Sequence, residues 1–217
     1  MAASLRIGHH PHTRLAALAL AALLPAGCHS AMSPAAESPD PVNQLAPSVD
    51  RPFTGTVADW PLFFVQHWFN AACYDASGCK VGYAGSFQLS TPENEMEPSI
   101  GSLGDRYPNS ITATSRGPIE GVPGPAKVTW KSKDGTPMQA TVDMEEIFRD
   151  RLIRHSVRRA DIPDRIGIGT PLIVLEVVDR TINVYMQARV PTKEAQIPGN
   201  RYSFNRRDLI RVWSQAY

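Results

Sequence analysis

Cys73 and Cys79 bracket Tyr74-Asp75-Ala76-Ser77-Gly78, and His67 stands six residues before the first of them. Thiols so placed could close a disulfide, act as a redox pair or help to hold a metal. A redox pair favours the shorter C-x-x-C spacing, and a metal site that includes His67 lacks a fourth ligand. Beyond residue 28 only His29, His67 and His155 carry imidazoles. A nucleophile–His–acid triad would need His67 or His155 beside a presented serine or cysteine. The G-x-S-x-G elbow is absent, as are H-E-x-x-H and a phosphate loop. Gly167-Ile168-Gly169 lacks a third glycine and precedes a strand pattern, where a dinucleotide site wants a helix. Glu145 and Glu146 are adjacent, so they point to different faces of a helix and suit its N-terminus better than acid/base work. His67, between Phe64 and Trp68, reads as a packing or edge residue, and His155 as a solvated or capping one. No catalytic constellation, cofactor or metal is expected, and the chain does not read as an enzyme.

The segments that must position these groups begin with an address. Arg6 and Arg14 open a mildly basic start, ten apolar residues run from Leu15 to Leu24, and Pro25-Ala26-Gly27 leads to Cys28. That is the layout of a removable secretory signal. As a helix the run rises only about 15 Å, half the hydrocarbon thickness, so a permanent span is not expected. Ala26-Gly27 before a cysteine resembles a bacterial lipobox, although Pro25 stands where leucine is usual. Residues 1–27 are therefore expected to leave as a lipoprotein signal peptide, with lipid on Cys28. Residues 28–52, with Pro34, Pro39, Pro41, Pro47 and Pro52 among Ala and Ser, read as a tether that cannot bury enough surface to fold. In an oxidising compartment the two remaining thiols, Cys73 and Cys79, read as a disulfide that pins a hairpin between Leu62–Ala72 and Lys80–Leu89.

Residues 53–217 read as one globular domain. Ser90–Pro125 is a long, proline-rich excursion, with short strands expected near Ser99–Leu103 and Ser110–Ser115. Ala126–Trp130 and Met138–Val142 alternate on either side of Lys133-Asp134-Gly135, a hairpin pattern. Asp143 three before Glu146 predicts a helix over Met144–Arg151. Leu172–Val178 is a continuous apolar run broken only by Glu176, and Ile182–Val190 alternates after an Asp179-Arg180 turn. In the last segment, Asn205–Tyr217, Leu209, Trp213 and Tyr217 share a helical face; a strand fits almost as well, and helix is the reading taken. The sum is an α+β fold, antiparallel β-hairpins forming a sheet with one or two helices.

Charge is unevenly spread. Residues 28–148 carry 7 basic and 14 acidic side chains, a net of −7; residues 149–217 carry 13 and 7, a net of +6. The sum, −1, gives no electrostatic case for nucleic acid. The asymmetry could pair the two halves within the fold. A sharper reading singles out Pro92–Pro98, where Glu93, Glu95 and Glu97 surround Met96, as a surface that docks a basic partner.

Ala72-Cys73-Tyr74-Asp75 with Gly78-Cys79-Lys80-Val81, Val128-Thr129-Trp130-Lys131 with Asp134-Gly135, and Ile182-Asn183-Val184-Tyr185-Met186 continuing to Asp208-Leu209-Ile210 together resemble bacterial envelope lipoproteins encoded beside type VI secretion lipase effectors. The resemblance implies an immunity protein: a periplasmic lipoprotein that binds a toxic phospholipase and blocks it. It carries no catalytic residues across. By the family's sorting rule, His29 after Cys28, in place of an aspartate, implies the outer membrane. A structural or assembly lipoprotein of the envelope is the alternative.

Overall fold

Leu172–Val178 (β7) is apolar without alternation because both of its faces are covered. Ile173, Leu175 and Val177 are buried on one side and Val174 and Glu176 on the other. The computed structural model describes residues 53–217; the expected signal peptide (1–27), the tether (28–52) and the lipidation at Cys28 lie outside the described residues. On one side β7 pairs antiparallel with β8 (Thr181–Gln187), which pairs in turn with β11 (Leu209–Ala216). On the other it pairs in parallel with β1 (Gln66–Tyr74), from Trp68↔Leu172 to Tyr74↔Val178. The short β4 (Arg116–Glu120) closes that side of a five-stranded sheet, in the order β11-β8-β7-β1-β4.

A second sheet, wholly antiparallel, is ordered β3-β2-β5-β6, from Ser86–Ser90, Ala76–Tyr83, Ala126–Ser132 and Pro137–Val142. The sheets bury one core between them. Phe69, Ala71, Ile173, Leu175, Val184 and Met186 come from the first, and Val81, Tyr83, Ala126, Val128 and Trp130 from the second. β5 alternates buried and exposed along its length, as its sequence predicts. The β5–β6 turn is tied by Ser132 N–H to Thr136 O (2.9 Å), with Gly135 left-handed at φ +86°. The fold is α+β with strands dominant; the two α-helices among the described residues, α1 (Ile100–Leu103) and α2 (Met144–Ile147), are single turns.

Four local expectations are corrected. Leu62–Ala72 and Lys80–Leu89 do not form a hairpin: β1 lies in the first sheet and β2 in the second, and the hairpin is β2–β3. The continuous β7 run gives β1 a better-covered neighbour than β2 could. Ser99–Leu103 is α1, whose cap is Ser99, and Ser110–Ser115 begins in a 3-10 turn (Asn109–Thr112) that drops Ile111 into a small cluster with Tyr74 and Val174. The helix predicted over Met144–Arg151 stops at Ile147. Asp143 caps Glu146 N–H (2.9 Å) as expected, but the chain is then drawn into pairing with Leu62–Phe64 through Phe64 N–H to Arg151 O (2.9 Å) and Ile153 N–H to Leu62 O (2.8 Å).

The last segment is strand, not helix. The pairing with β8 shifts register between Arg211 and Trp213, a bulge that puts Ile210 opposite Met186 and Trp213 opposite Val184, both partners being core residues. One extra residue converts a spacing of two into three, which imitates a helical stripe. Leu209 packs in the small outer cluster while Trp213 and Tyr217 pack on the main core, so the apparent helical face is divided between two sides of a sheet.

Leu175 is fully buried at the centre of this arrangement. Leu175→Ala should lower unfolding free energy by about 3 kcal/mol, whereas Gln139→Ala, on exposed β6, should change it by less than about 0.5 kcal/mol in the same urea titration.

Candidate functional site

The Cys73–Cys79 bridge is present, with Cα atoms 6.5 Å apart. It joins the end of β1 to β2 and so staples one sheet to the other at the corner where the chain changes sheets. Asp75, at φ +48°, makes the corner, and Gly78, at φ +59°, follows it. A side chain at Gly78 would meet Glu93 Cα and Cγ at 3.3 Å, so glycine is required here for close approach as well as for φ.

What approaches is the acidic segment. Thr91–Pro98 runs antiparallel along the first residues of β2 and continues the edge begun by β3. Its bonds are Thr91 N–H to Cys79 O (2.9 Å), Gly78 N–H to Pro92 O (3.0 Å), Glu97 N–H to Ala76 O (2.8 Å) and Asp75 N–H to Pro98 O (3.3 Å). Cys79 N–H also donates to Thr91 Oγ1 (3.0 Å), and Met96 pairs with Ser77. Four predicted residues are thus brought to one edge in different states. Glu93 is engaged by Lys80, whose Nζ donates to its Oε1 at 2.9 Å and holds its carboxyl below the usual range. Glu95 and Met96 are exposed, Met96 by 47 %, and Glu97 is half-buried.

The same corner shows contacts that sequence reading missed. Tyr74↔Val178 ends the parallel pairing, and Asp75 and Asp179 follow at the same end of the sheet. Lys133 Nζ donates to Asp75 Oδ1 (2.9 Å) and Lys133 N–H to Asp179 Oδ1 (2.8 Å), while Trp130 Nε1–H donates to Asp179 O (2.6 Å). Arg180 reaches Asp134 Oδ2 at 2.7 Å; hydrogen bonds from Ser132, Thr136 and then Arg180 press the Asp134 carboxyl far down. The sequence signalled the two turns, Lys133-Asp134-Gly135 and Asp179-Arg180, but not that they meet.

Both histidines proposed for scrutiny turn inward. His67 is fully buried; its Nδ1–H donates to Gly121 O (3.0 Å), which leaves Nε2 to accept from Tyr83 OH (3.2 Å). Burial, and then the nearby Arg151 guanidinium, lower its pKa to about 4. A Tyr–His–carbonyl chain joins β1, β2 and the Gly121 turn, with both of its side chains buried. It does not present a base to a substrate.

His155 meets Trp60 edge-on at 5.5 Å, and burial lowers its pKa. Ser156 and Asp208 lie beside it, next to a polar cavity of about 540 Å³ lined by Arg158, Asp161, Lys193 and Arg206 among others. Ser156 Oγ donates directly to Asp208 Oδ2, while the His155 ring faces the Val157 backbone. A serine bonded to the acid, and not to the imidazole, is not activated as a nucleophile.

Several arginines of the basic half find carboxylates close to home. Arg149 pairs with Glu146, Arg154 with Asp150, Arg158 with Asp161, Arg159 with Asp164 and Arg206 with Asp208. Apart from Arg149–Glu146, at the boundary, these pairs lie within residues 149–217; with Arg180–Asp134, two of the ion pairs join the halves and the rest of those on the basic side are local.

Beneath α1, Glu176 is fully buried, and its Oε2 accepts from Asn183 Nδ2 (3.0 Å), Tyr185 OH (3.1 Å) and Tyr107 OH (3.4 Å), a polar seam that ties the excursion to the sheet. Among the described residues there is no cluster of three or more His, Cys, Asp or Glu placed to hold a metal ion, and no helix long and apolar enough to cross a membrane. No family model matches the chain, and no curated protein or solved structure does either.

Two predictions follow the geometry. Below pH 6.5 the unfolded chain takes up a proton on His67 that the folded chain refuses until about pH 4. Stability should therefore fall across that window, by about 2–3 kcal/mol in all, and His67→Phe should flatten the urea-midpoint profile between pH 7 and 4. Cys73→Ala/Cys79→Ala should cost about 2 kcal/mol, the closure entropy of a short loop, and should speed amide exchange at Asp75, Gly78 and Glu97 more than at Leu175.

Proposed function

We propose that this chain is a binding protein of the cell envelope: a lipid-anchored periplasmic immunity protein that captures a toxic phospholipase effector of a type VI secretion system. The observation that carries the reading is the corner just described. A disulfide, a glycine-dependent close approach and a run of backbone hydrogen bonds hold Glu95 and Met96 in an exposed position, on backbone that is already ordered. A surface ordered before contact forfeits less entropy when a partner arrives. An exposed methionine flanked by carboxylates suits an adaptable apolar contact ringed by charge, with the charge setting the encounter rate.

Inhibition by capture needs no reacting group on the inhibitor. It needs a scaffold that does not yield when the partner closes on it, and two sheets joined by a covalent staple meet that need. The address read from residues 1–28 and the resemblance of the hairpin segments supply the compartment and the class of partner.

The test is co-expression of a phospholipase effector directed to the periplasm, with and without this chain. Growth should be rescued, and a stable complex should be recovered on purification. Glu95→Lys/Met96→Asp should slow association at least tenfold at low salt while leaving the urea midpoint in place. An unchanged association rate would remove the acidic corner as the docking surface, and failure of the native chain to rescue growth would remove the immunity reading.

A further inference from the structure

The four strand edges of the two sheets are not equally protected. β4 is five residues long, contains Pro118, and has at Gly117 a backbone packed so closely that a Cβ would lie 3.1 Å from His67 O. β3 is also five residues, and Arg116 Nη1 donates to its Phe87 carbonyl at 3.2 Å. β6 is six residues and begins at Pro137. β11 is the longest, eight residues without proline, and among the described residues it pairs with β8 alone. Val212, Trp213 and Tyr217 fasten it to the core, so it stands as an ordered row of backbone donors and acceptors.

The charge beside this edge has one sign. Arg189, Arg207 and Arg211 are exposed and make no ion pair among the described residues, in contrast to Arg206, which Asp208 neutralises at 2.8 Å. Arg211 lies within the edge strand, and Arg189 and Arg207 lie in the short stretches between the β8–β11 and β9–β10 pairings, where β9 is Val190–Pro191 and β10 is Asn205–Arg206. A second copy laid antiparallel along the whole of β11 would set Arg211 opposite Ser214 and bring these cations no carboxylate, so it answers the backbone edge but not the charge. An extended segment rich in carboxylates would meet both the open backbone and the cations.

We infer that β11 receives an extended acidic segment of the protein partner, added as a sixth strand to the five-stranded sheet. The inference rests on the partner-binding reading above and assigns the partner a second contact, remote in sequence from Pro92–Pro98 and opposite in charge. Main-chain bonds along the eight residues supply affinity, and the arginines choose the sign of the incoming strand.

The test uses the full chain and two ten-residue peptides, one alternating Glu with Val and one alternating Lys with Val, followed by amide hydrogen exchange at low salt. The glutamate peptide should slow exchange in Leu209–Ala216 at least tenfold and the lysine peptide should not; Arg207→Glu/Arg211→Glu should reverse that preference. No slowing by the glutamate peptide, or equal slowing by both, overturns the inference. So does protection of β11 without peptide that rises with protein concentration alongside a dimer, which gives the edge to a second copy. Should Arg207→Glu/Arg211→Glu leave effector rescue and complex stability untouched, strand addition falls while partner capture stands; should the native chain itself fail to rescue, it is the underlying reading that falls.

Discussion

The parallel pairing of β1 with β7 is the constraint from which the rest of the architecture proceeds. It places two strands in the middle of the sheet, where their inward polar groups, His67 and Glu176, must find partners inside the fold. It also forces the whole second sheet into the connection between them, because parallel neighbours cannot be joined by a tight turn. Once Tyr74 and Val178 end together, Asp75 and Asp179 are fixed at a common end, and Lys133 can bridge them. The corner that carries the disulfide is a product of the same pairing: β1 must end there, and β2 must leave for the other sheet.

Sequence periodicity exposed the strands better than their partners. β5, β6, β7 and β8 were legible because alternation or continuity directly reports how many faces are covered. The partner of β1 was not, since hydrophobic pattern is silent about which strand lies alongside, and the nearest strand in sequence was a reasonable first choice. The C-terminal error has a different origin. A bulge at Arg211–Trp213 changed the local period, and a spacing of four between Leu209, Trp213 and Tyr217 is ambiguous once a strand carries an extra residue. The short helix over Met144–Ile147 was marked by its cap, but its end was decided by Leu62 and Phe64, some 90 residues away, through backbone pairing that no local propensity encodes.

The site was legible in part. Spacing and address together gave the Cys73–Cys79 bridge, and composition marked Pro92–Pro98. What could not be read was that this segment is laid against β2, with Lys80 already on Glu93 and with Glu95 and Met96 left outward. That sorting depends on Gly78, whose missing side chain admits the segment; in the sequence it is one glycine in a turn. The inward turn of His67 was equally hidden, because an imidazole in an aromatic strand is compatible with either face.

The span between paired partners also bears on how the molecule is made. Gln66 bonds Thr170 across 104 residues, the same separation as the β1–β7 register, so until nearly four-fifths of the chain exists the first central strand has only the short β4 beside it. High contact order of this kind delays productive collapse, since a long loop must close before its contacts repay the entropy. Slow closure of this kind leaves the edges of the early strands open longer than in a fold built from hairpins alone.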